Sequence, residues 1–351
     1  MSYQASAIFF SEIERFGTAF TLPKLGFQKY MKLPYFSRFY QKIFRISPDE
    51  AKFLRRGFRI TKSAGHLETV GEKFLYGYHA ALSANSTSDL ADDLNLVEPL
   101  YRGFAFEGAA MGLTLLDNLL PLRKKLLQEF FSGSGKAHIY MLHVGVGWAL
   151  ARIPWLRRRP LKTISRFDPV LRWLILDGFG FHEGYFYPRK YFHSKVSLDW
   201  LPGYARRAFA QGLGRSLWFV EGADTEKILQ RLNKLPESLR SDLWSGIGLA
   251  CAYAGDASEP EIEKLKVSAG EHYLSYLAQG AAFAAKARLR AGNPARHTEM
   301  ACRVFCRCTI EEAAFVTDMK LQNLPIDGTV PAYEVWRQRI QKEFSLEQVT
   351  V

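Results

Sequence analysis

From about residue 66 onward, apolar positions recur every three or four residues, the spacing of helices that bury one face. Runs that alternate apolar and polar are short, and Asn-Gly turns are absent. The pattern predicts helices over 66–84, 89–97, 99–119, 121–132, 137–153, 169–187, 203–221, 224–234, 236–254, 260–290, 296–307, 309–319 and 331–346. Pro99, Pro169 and Pro236 stand where a first helical residue would, and Asp168 is a suitable N-cap before Pro169. Gly133-Ser134-Gly135 and Gly255-Asp256 read as loops. Near the N-terminus, Asp49-Glu50 after Pro48 reads as a first helical turn, where acids suit the dipole. The expected fold class is all-α.

Two regularities refine this expectation. Sliding the chain by 138 residues puts Leu94-Asn95 on Leu232-Asn233, Arg102 on Arg240, Phe106 on Trp244 and Gly108 on Gly246. Sliding the next part by 133 puts Tyr140 on Tyr273, Gly147 on Gly280 and Ala151 on Ala284, and shorter periods near 35 run inside each copy. The expected organisation is a basic aromatic cap over 1–65, two duplicated helical-repeat halves over 66–192 and 203–320, and a helical tail over 321–351. Glycines also recur inside the helices: Gly108/Gly112, Gly145/Gly147, Gly180/Gly184, Gly212/Gly214 and Gly246/Gly248. Each costs roughly 1 kcal/mol against Ala in a helix interior. So many imply helices whose backbones approach closely on one face. Bulky rings on the other face would then line a cavity or groove.

Composition narrows the class. With 351 residues, 48% hydrophobic and 14% aromatic, the chain can bury a large core. The net charge of +12 is uneven, since residues 1–60 hold eleven Lys/Arg against four Asp/Glu. Aromatics from Phe27 to Phe44 interleave with these cations, and Arg152, Arg157, Arg158, Arg159, Lys162 and Arg166 add a second basic run. Such surfaces attract anionic partners: a carrier protein, or a membrane touched peripherally by the N-terminus. Nucleic acid is not expected, because no recognition motif accompanies the charge. No basic-then-apolar leader is read at the start, and Ala137–Ala151 is too short to cross a bilayer. Four cysteines in a chain this long do not make a disulfide framework. The expectation is a cytoplasmic protein.

The candidate chemistry lies in aromatic-glutamate-glycine clusters. Arg102–Gly108 reads RGFAFEG, Asp177–Phe186 reads DGFGFHEGYF, and Trp218–Gly222 reads WFVEG. On a helix Phe104 and Glu107 share a face, as do Phe179 and Glu183, and Trp218 and Glu221. A carboxylate among rings loses hydration, which raises its pKa and suits it to general acid catalysis. Glu107, His182 and Glu183 are therefore candidate proton donors and acceptors, with Asp177 and Glu221 as supports. Phe104, Trp148, Phe179, Trp218 and Trp244 would line the pocket and bind an apolar substrate. The other reading has these acids pairing with arginines such as Arg102, Arg172 and Arg215 and holding the fold. His297 with Cys302, Cys306 and Cys308 is the nearest thing to a metal cluster, but Cys308 leaves the shared helix face and no second pair follows. Phosphate loop, dinucleotide fingerprint and nucleophile elbow are missing, so neither a metal nor a cofactor is indicated.

Several blocks carry a family likeness: RGFAFEGAAM (102–111), HVGVGWALAR (143–152), LDGFGFHEGYF (176–186), GLGRSLWFVEGAD (212–224), LRSDLWSGIGLACAYAG (239–255) and QGAAFAAKAR (279–288). Together they resemble a bacterial family whose members carry domain-of-unknown-function names or are described as enediyne biosynthesis proteins. Its genes often lie beside iterative polyketide synthase genes. The resemblance spans roughly 98–302 and implies a context, the assembly or tailoring of a polyene-like specialised metabolite, without implying a reaction or catalytic residues. Two functions follow as expectations. One is an accessory enzyme that cyclises or isomerises an apolar polyketide or polyene chain by acid-base chemistry. The other is a non-catalytic helical-repeat scaffold that holds a synthase or its carrier domain.

Overall fold

The computed structural model describes residues 42–119 and 125–345. All their regular structure is helical. In chain order the helices are α1 Phe53–Arg56, α2 Ala64–Ser83, α3 Thr87–Asn95, α4 Pro99–Leu119, α5 Leu126–Ser132, α6 Ile139–Arg152, α7 Pro154–Arg157, α8 Pro160–Ile164, α9 Trp173–Phe186, α10 Pro188–Tyr191, α11 Ala205–Val220, α12 Thr225–Leu232, α13 Glu237–Tyr253, α14 Glu259–Arg290, α15 Arg296–Cys306, α16 Ile310–Leu321 and α17 Ala332–Glu343. Boundaries follow local chemistry. Ser86 caps α3 through the Asp89 amide, Asp224 caps α12 through Lys227, and capping boxes open α14 (Ser258/Glu261) and α16 (Thr309/Glu312). Asp168 accepts from the amides of Val170 and Leu171 at 2.9 and 2.8 Å, although the helix proper begins only at Trp173. Asp49 and Glu50 fall in a short 3-10 helix, Pro48–Ala51.

The long helix expected over 260–290 is two helices. At Gly270 the backbone enters the left-handed region (φ 57), where a side chain would be strained, and the axis changes direction. The part before it, 259–269, is a connector. The part after it joins a series with α2, α4, α6, α9, α11 and α13, in which each member packs mainly on its neighbours. Pro154, Pro160 and Pro188 open the short connector helices that the periodicity did not resolve.

What joins the series is glycine. A Cβ on Gly178 would collide with the carbonyl of Val144, on Gly212 with that of Asp177, on Gly246 with that of Gln211, and on Gly280 with that of Ser245. Two residues further on, the contact turns to the following helix: Gly180 meets Phe209, Gly214 meets Leu243 and Gly248 meets Leu277. α9, α11 and α13 thus each offer one bare backbone patch to the predecessor and one to the successor. Positions 178, 212, 246 and 280 lie 34 apart, the same offset as the side-chain bonds Gln211–Asp177, Ser245–Gln211 and Ser245–Gln279. Pairings that advance together along both partners (Gly180 with Phe209, Gly184 with Ser216) make neighbours parallel.

The series also curls. The start of α2 reaches the end of α13, where the Ser63 hydroxyl donates to the Asp256 carbonyl at 2.9 Å and His66 Nε2 lies 2.7 Å from the Ala254 carbonyl. The start of α4 meets the end of α14, with Arg288 donating to the Leu100 carbonyl and Asn293 to the Pro99 carbonyl. Curling turns one face of α2, α4, α6, α9 and α11 inward on a common interior. Of the interleaved aromatic and basic residues near the N-terminus, those before residue 42 lie outside the described residues. Phe44 is buried, and its carbonyl accepts from the Tyr78 hydroxyl at 2.8 Å. Among the described residues no helix is long and apolar enough to cross a membrane.

Candidate functional site

The interior holds an apolar slot built by one or more residues from each of those five helices: Phe74 of α2, Phe104 and Glu107 of α4, Trp148 and Arg152 of α6, Phe181 and Tyr185 of α9, and Phe219 of α11. Ile46, Glu50 and Ala51 of the segment before α1 border it. Counting its open mouth the empty space is about 540 Å³, yet the centre of a water molecule can move through only about 40 Å³ of it. The slot is therefore narrow. Trp148 is its hub, with ring centroids 4.5 Å from Phe74, 5.2 Å from Phe181 and 5.9 Å from Tyr185.

Glu107 is the acid of this slot and is 1% exposed. Trp148 Nε1 donates to its Oε1 at 2.9 Å, while Oε2 has no hydrogen-bond partner among the described residues. Burial raises its pKa to about 7, against weaker lowering by the Arg215 charge and the indole bond. Near neutral pH the group is thus divided between acid and carboxylate. Behind it Arg215 is bound by Asp177, and Gln211 Nε2 donates to the other Asp177 oxygen at 2.8 Å. The Arg215 guanidinium also lies over the Phe181 ring, 4.7 Å from its centroid. From Asp177 a buried polar chain continues through Gln211, Ser245 and Gln279 to Arg337 of α17. The Ser245 hydroxyl lies 3.2 Å from Gln211 Oε1 and 2.9 Å from Gln279 Oε1, and its single proton serves one of them at a time.

Glu183 is placed differently. Arg157 grips both its oxygens at 2.7 and 2.8 Å, and the Tyr191 hydroxyl donates at 2.8 Å. Burial pushes its pKa up, but the adjacent His182 imidazole, once protonated in acid, and the Arg157 guanidinium outweigh that and hold it at about 2. His182 Nδ1 is 3.4 Å from Glu183 Oε1 without hydrogen-bond geometry, and burial lowers the imidazole to about 4, so it is neutral. Its ring meets Trp148 edge-on, 5.4 Å between centroids. Glu221 pairs with Arg231 at 2.6 Å and with Arg59 at 3.5 Å, away from the slot.

Of the residues expected to bind substrate, Phe104 and Trp148 line the slot. Phe179 packs with Trp200 and Phe209, Trp218 donates to the Gly255 carbonyl at 3.1 Å, and Trp244 stacks on Tyr273. Phe74, Arg152, Phe181, Tyr185 and Phe219 are site residues that the sequence reading missed. Trp148, Phe181 and Arg215 each follow the second glycine of their helix, so this spacing of 33 and then 34 residues carried a signal for the inward face. The Cys302 and Cys306 thiols are buried against the Ala281 and Ala278 carbonyls, and His297 lies 3.1 Å from the Tyr253 carbonyl. Among the described residues no cluster of His, Cys, Asp and Glu is arranged to hold a metal ion.

No curated protein and no solved structure is similar enough to this chain to count as a match. Residues 35–344 match the family described as "Protein of unknown function (DUF1702)", a span that takes in all seven helices of the curled series, and the chain belongs to that family.

Proposed function

We propose that the chain binds a slender apolar molecule in the aromatic slot and that Glu107 moves a proton on it. The observation that carries this reading is Oε2 of Glu107, a buried acid oxygen without a hydrogen-bond partner among the described residues, inside an apolar lining. With a pKa near 7 the group both gives and takes a proton at neutral pH. Giving a proton to one carbon of a conjugated chain and taking one back from another shifts a double bond and restores the acid. The faces of Trp148, Phe74 and Phe181 suit any cationic character that develops. Asp177 acts through Arg215 by neutralising the charge that would otherwise lower Glu107. His182 supports Trp148, while Glu183 and Glu221 hold helices together.

The finer reading is an accessory enzyme of specialised-metabolite biosynthesis in the cytoplasm, cyclising or isomerising a polyketide- or polyene-type chain. Its support is the resemblance of the glycine-aromatic blocks to enediyne-associated proteins. The duplication of 66–192 into 203–320, flanked by a cap over 1–65 and a tail over 321–351, belongs to the same proposal and draws on the shared 34-residue spacing. A second reading, a scaffold for a synthase or carrier domain, draws on the stacked helix units, an architecture that offers extended surfaces to proteins.

Metabolite profiling of the source strain separates the two. Loss of product with Glu107→Gln but not with Arg158→Glu/Arg159→Glu/Lys162→Glu supports catalysis. The opposite pattern refutes it and supports the scaffold.

A further inference from the structure

The charges at the mouth of the slot do not balance. Arg152 stands one helical turn beyond Trp148 on the same face of α6, about 5–6 Å further along the axis. It is half-buried and borders the slot. Among the described residues it makes no ion pair and no hydrogen bond, and its guanidinium stacks over Phe186, 5.3 Å from the ring centroid. Glu50, the one carboxylate among the described residues that borders the same mouth, is already taken by Arg56 at 2.7 Å and approached by Arg55 at 3.7 Å. Arg56 shares the Phe186 ring with Arg152, 4.4 Å from its centroid. Three guanidinium groups thus surround one carboxylate. A half-buried cation that shares one already paired carboxylate, with no ion pair of its own among the described residues, carries a desolvation cost that an anionic ligand would offset.

We infer that Arg152 anchors the carboxylate of an amphipathic ligand whose slender apolar chain runs inward along Trp148 toward Glu107. This rests on the reading of the slot as a small-molecule site and adds the class of molecule: an unbranched monocarboxylic acid. A planar guanidinium matches a carboxylate through two parallel hydrogen bonds. The width of the slot suits one file of carbons. The two polar groups then act at different points of one ligand, Arg152 fixing the head and register while Glu107 meets an internal carbon.

The test uses the full chain and two fluorescent probes, an all-trans conjugated tetraene fatty acid and its methyl ester, titrated at pH 8 where the acid probe is ionised. The ester keeps the chain and removes the charge. The expected result is that the acid binds at least tenfold more tightly than the ester. Arg152→Gln should remove that preference and leave ester affinity within twofold, and Arg152→Lys should keep part of it. Ester binding by Arg152→Gln also reports that the variant is folded. Equal binding of acid and ester by the unmodified chain, or equal weakening of both by Arg152→Gln, overturns the anchor and leaves the slot reading standing. Failure of both probes to bind the unmodified chain overturns the slot reading and the anchor with it.

Discussion

The indole of Trp148 and the carboxyl of Glu107 come from adjacent parallel helices and meet through one hydrogen bond of 2.9 Å. That bond fixes one oxygen and leaves the other bare. Because burial dominates, the group is harder to ionise in the folded protein than in the open chain, and stability depends on pH accordingly. The folded pKa of about 7 exceeds the ordinary 4.5, so the folded state holds the extra proton between these values. Its contribution is fully present below pH 4.5 and is lost as pH rises through 7, by about 3 kcal/mol. Glu107→Gln cannot ionise and should escape this loss. Urea unfolding from pH 5 to 8 should show the variant gaining on the unmodified chain by roughly 1–3 kcal/mol toward the alkaline end. A constant difference across that range would mean that Glu107 is already ionised at pH 5.

Glycine in the series acts by what it lacks. Gly212→Ala would drive a methyl into the Asp177 carbonyl, backbone against backbone, with no flexible side chain to yield. The expected cost is at least about 2–3 kcal/mol, at the upper end of overpacking. Gly65, also helical but with nothing within 4 Å, is the control. Gly65→Ala should stabilise by about 0.5–1 kcal/mol through helix propensity alone. Opposite signs for the two in chemical denaturation would separate close approach from propensity.

The same glycines show what the sequence could and could not reveal. Their presence in helices at a short period was visible, and it correctly implied bare backbone contacts. The helices themselves followed from apolar periodicity, with errors where proline-opened connectors were only four or five residues long and where Gly270 broke a continuous pattern. Site membership was harder. Phe104 and Glu107 share a face, and so do Phe179 and Glu183, so the two clusters look equivalent. Whether an acid becomes free or paired depends on Arg157, which lies 26 residues before Glu183 and reaches it only through a turn after α6. Arg152 looked like part of a basic run, and its lack of an ion pair among the described residues is a property of the folded surroundings.

Asp177 and Arg215 are a second buried pair, 0% and 5% exposed. Asp177→Asn leaves the guanidinium in the core without its counter-charge, and a loss of about 3–5 kcal/mol is expected. The freed cation should also act on Glu107 and lower its pKa from about 7. If the variant folds, the pH at which its stability falls should move to lower values. An unchanged pH profile would show that Arg215 does not sense both acids. Arg215→Met together with Asp177→Leu removes both charges and should recover much of the lost stability.

Glu183 gives the opposite pH signature. Its folded pKa of about 2 lies below the ordinary 4.5, so its contribution is present above pH 4.5 and is lost as pH falls through 2. The difference amounts to about 3 kcal/mol before screening at the partly exposed Arg157. Arg157→Leu removes the double grip and leaves a fully buried carboxylate with Tyr191 as its remaining hydroxyl donor. The expected loss is about 3–5 kcal/mol at pH 7, shrinking as acid protonates the stranded group. Glu183→Gln should be milder, because the amide oxygen still accepts from Arg157 or Tyr191. Neither change touches the slot, so tetraene ester affinity should stay within twofold in any variant that folds. A selective loss of ester binding with Glu183→Gln, at unchanged thermal stability, would give that residue a place in the site and would move proton transfer away from Glu107 alone.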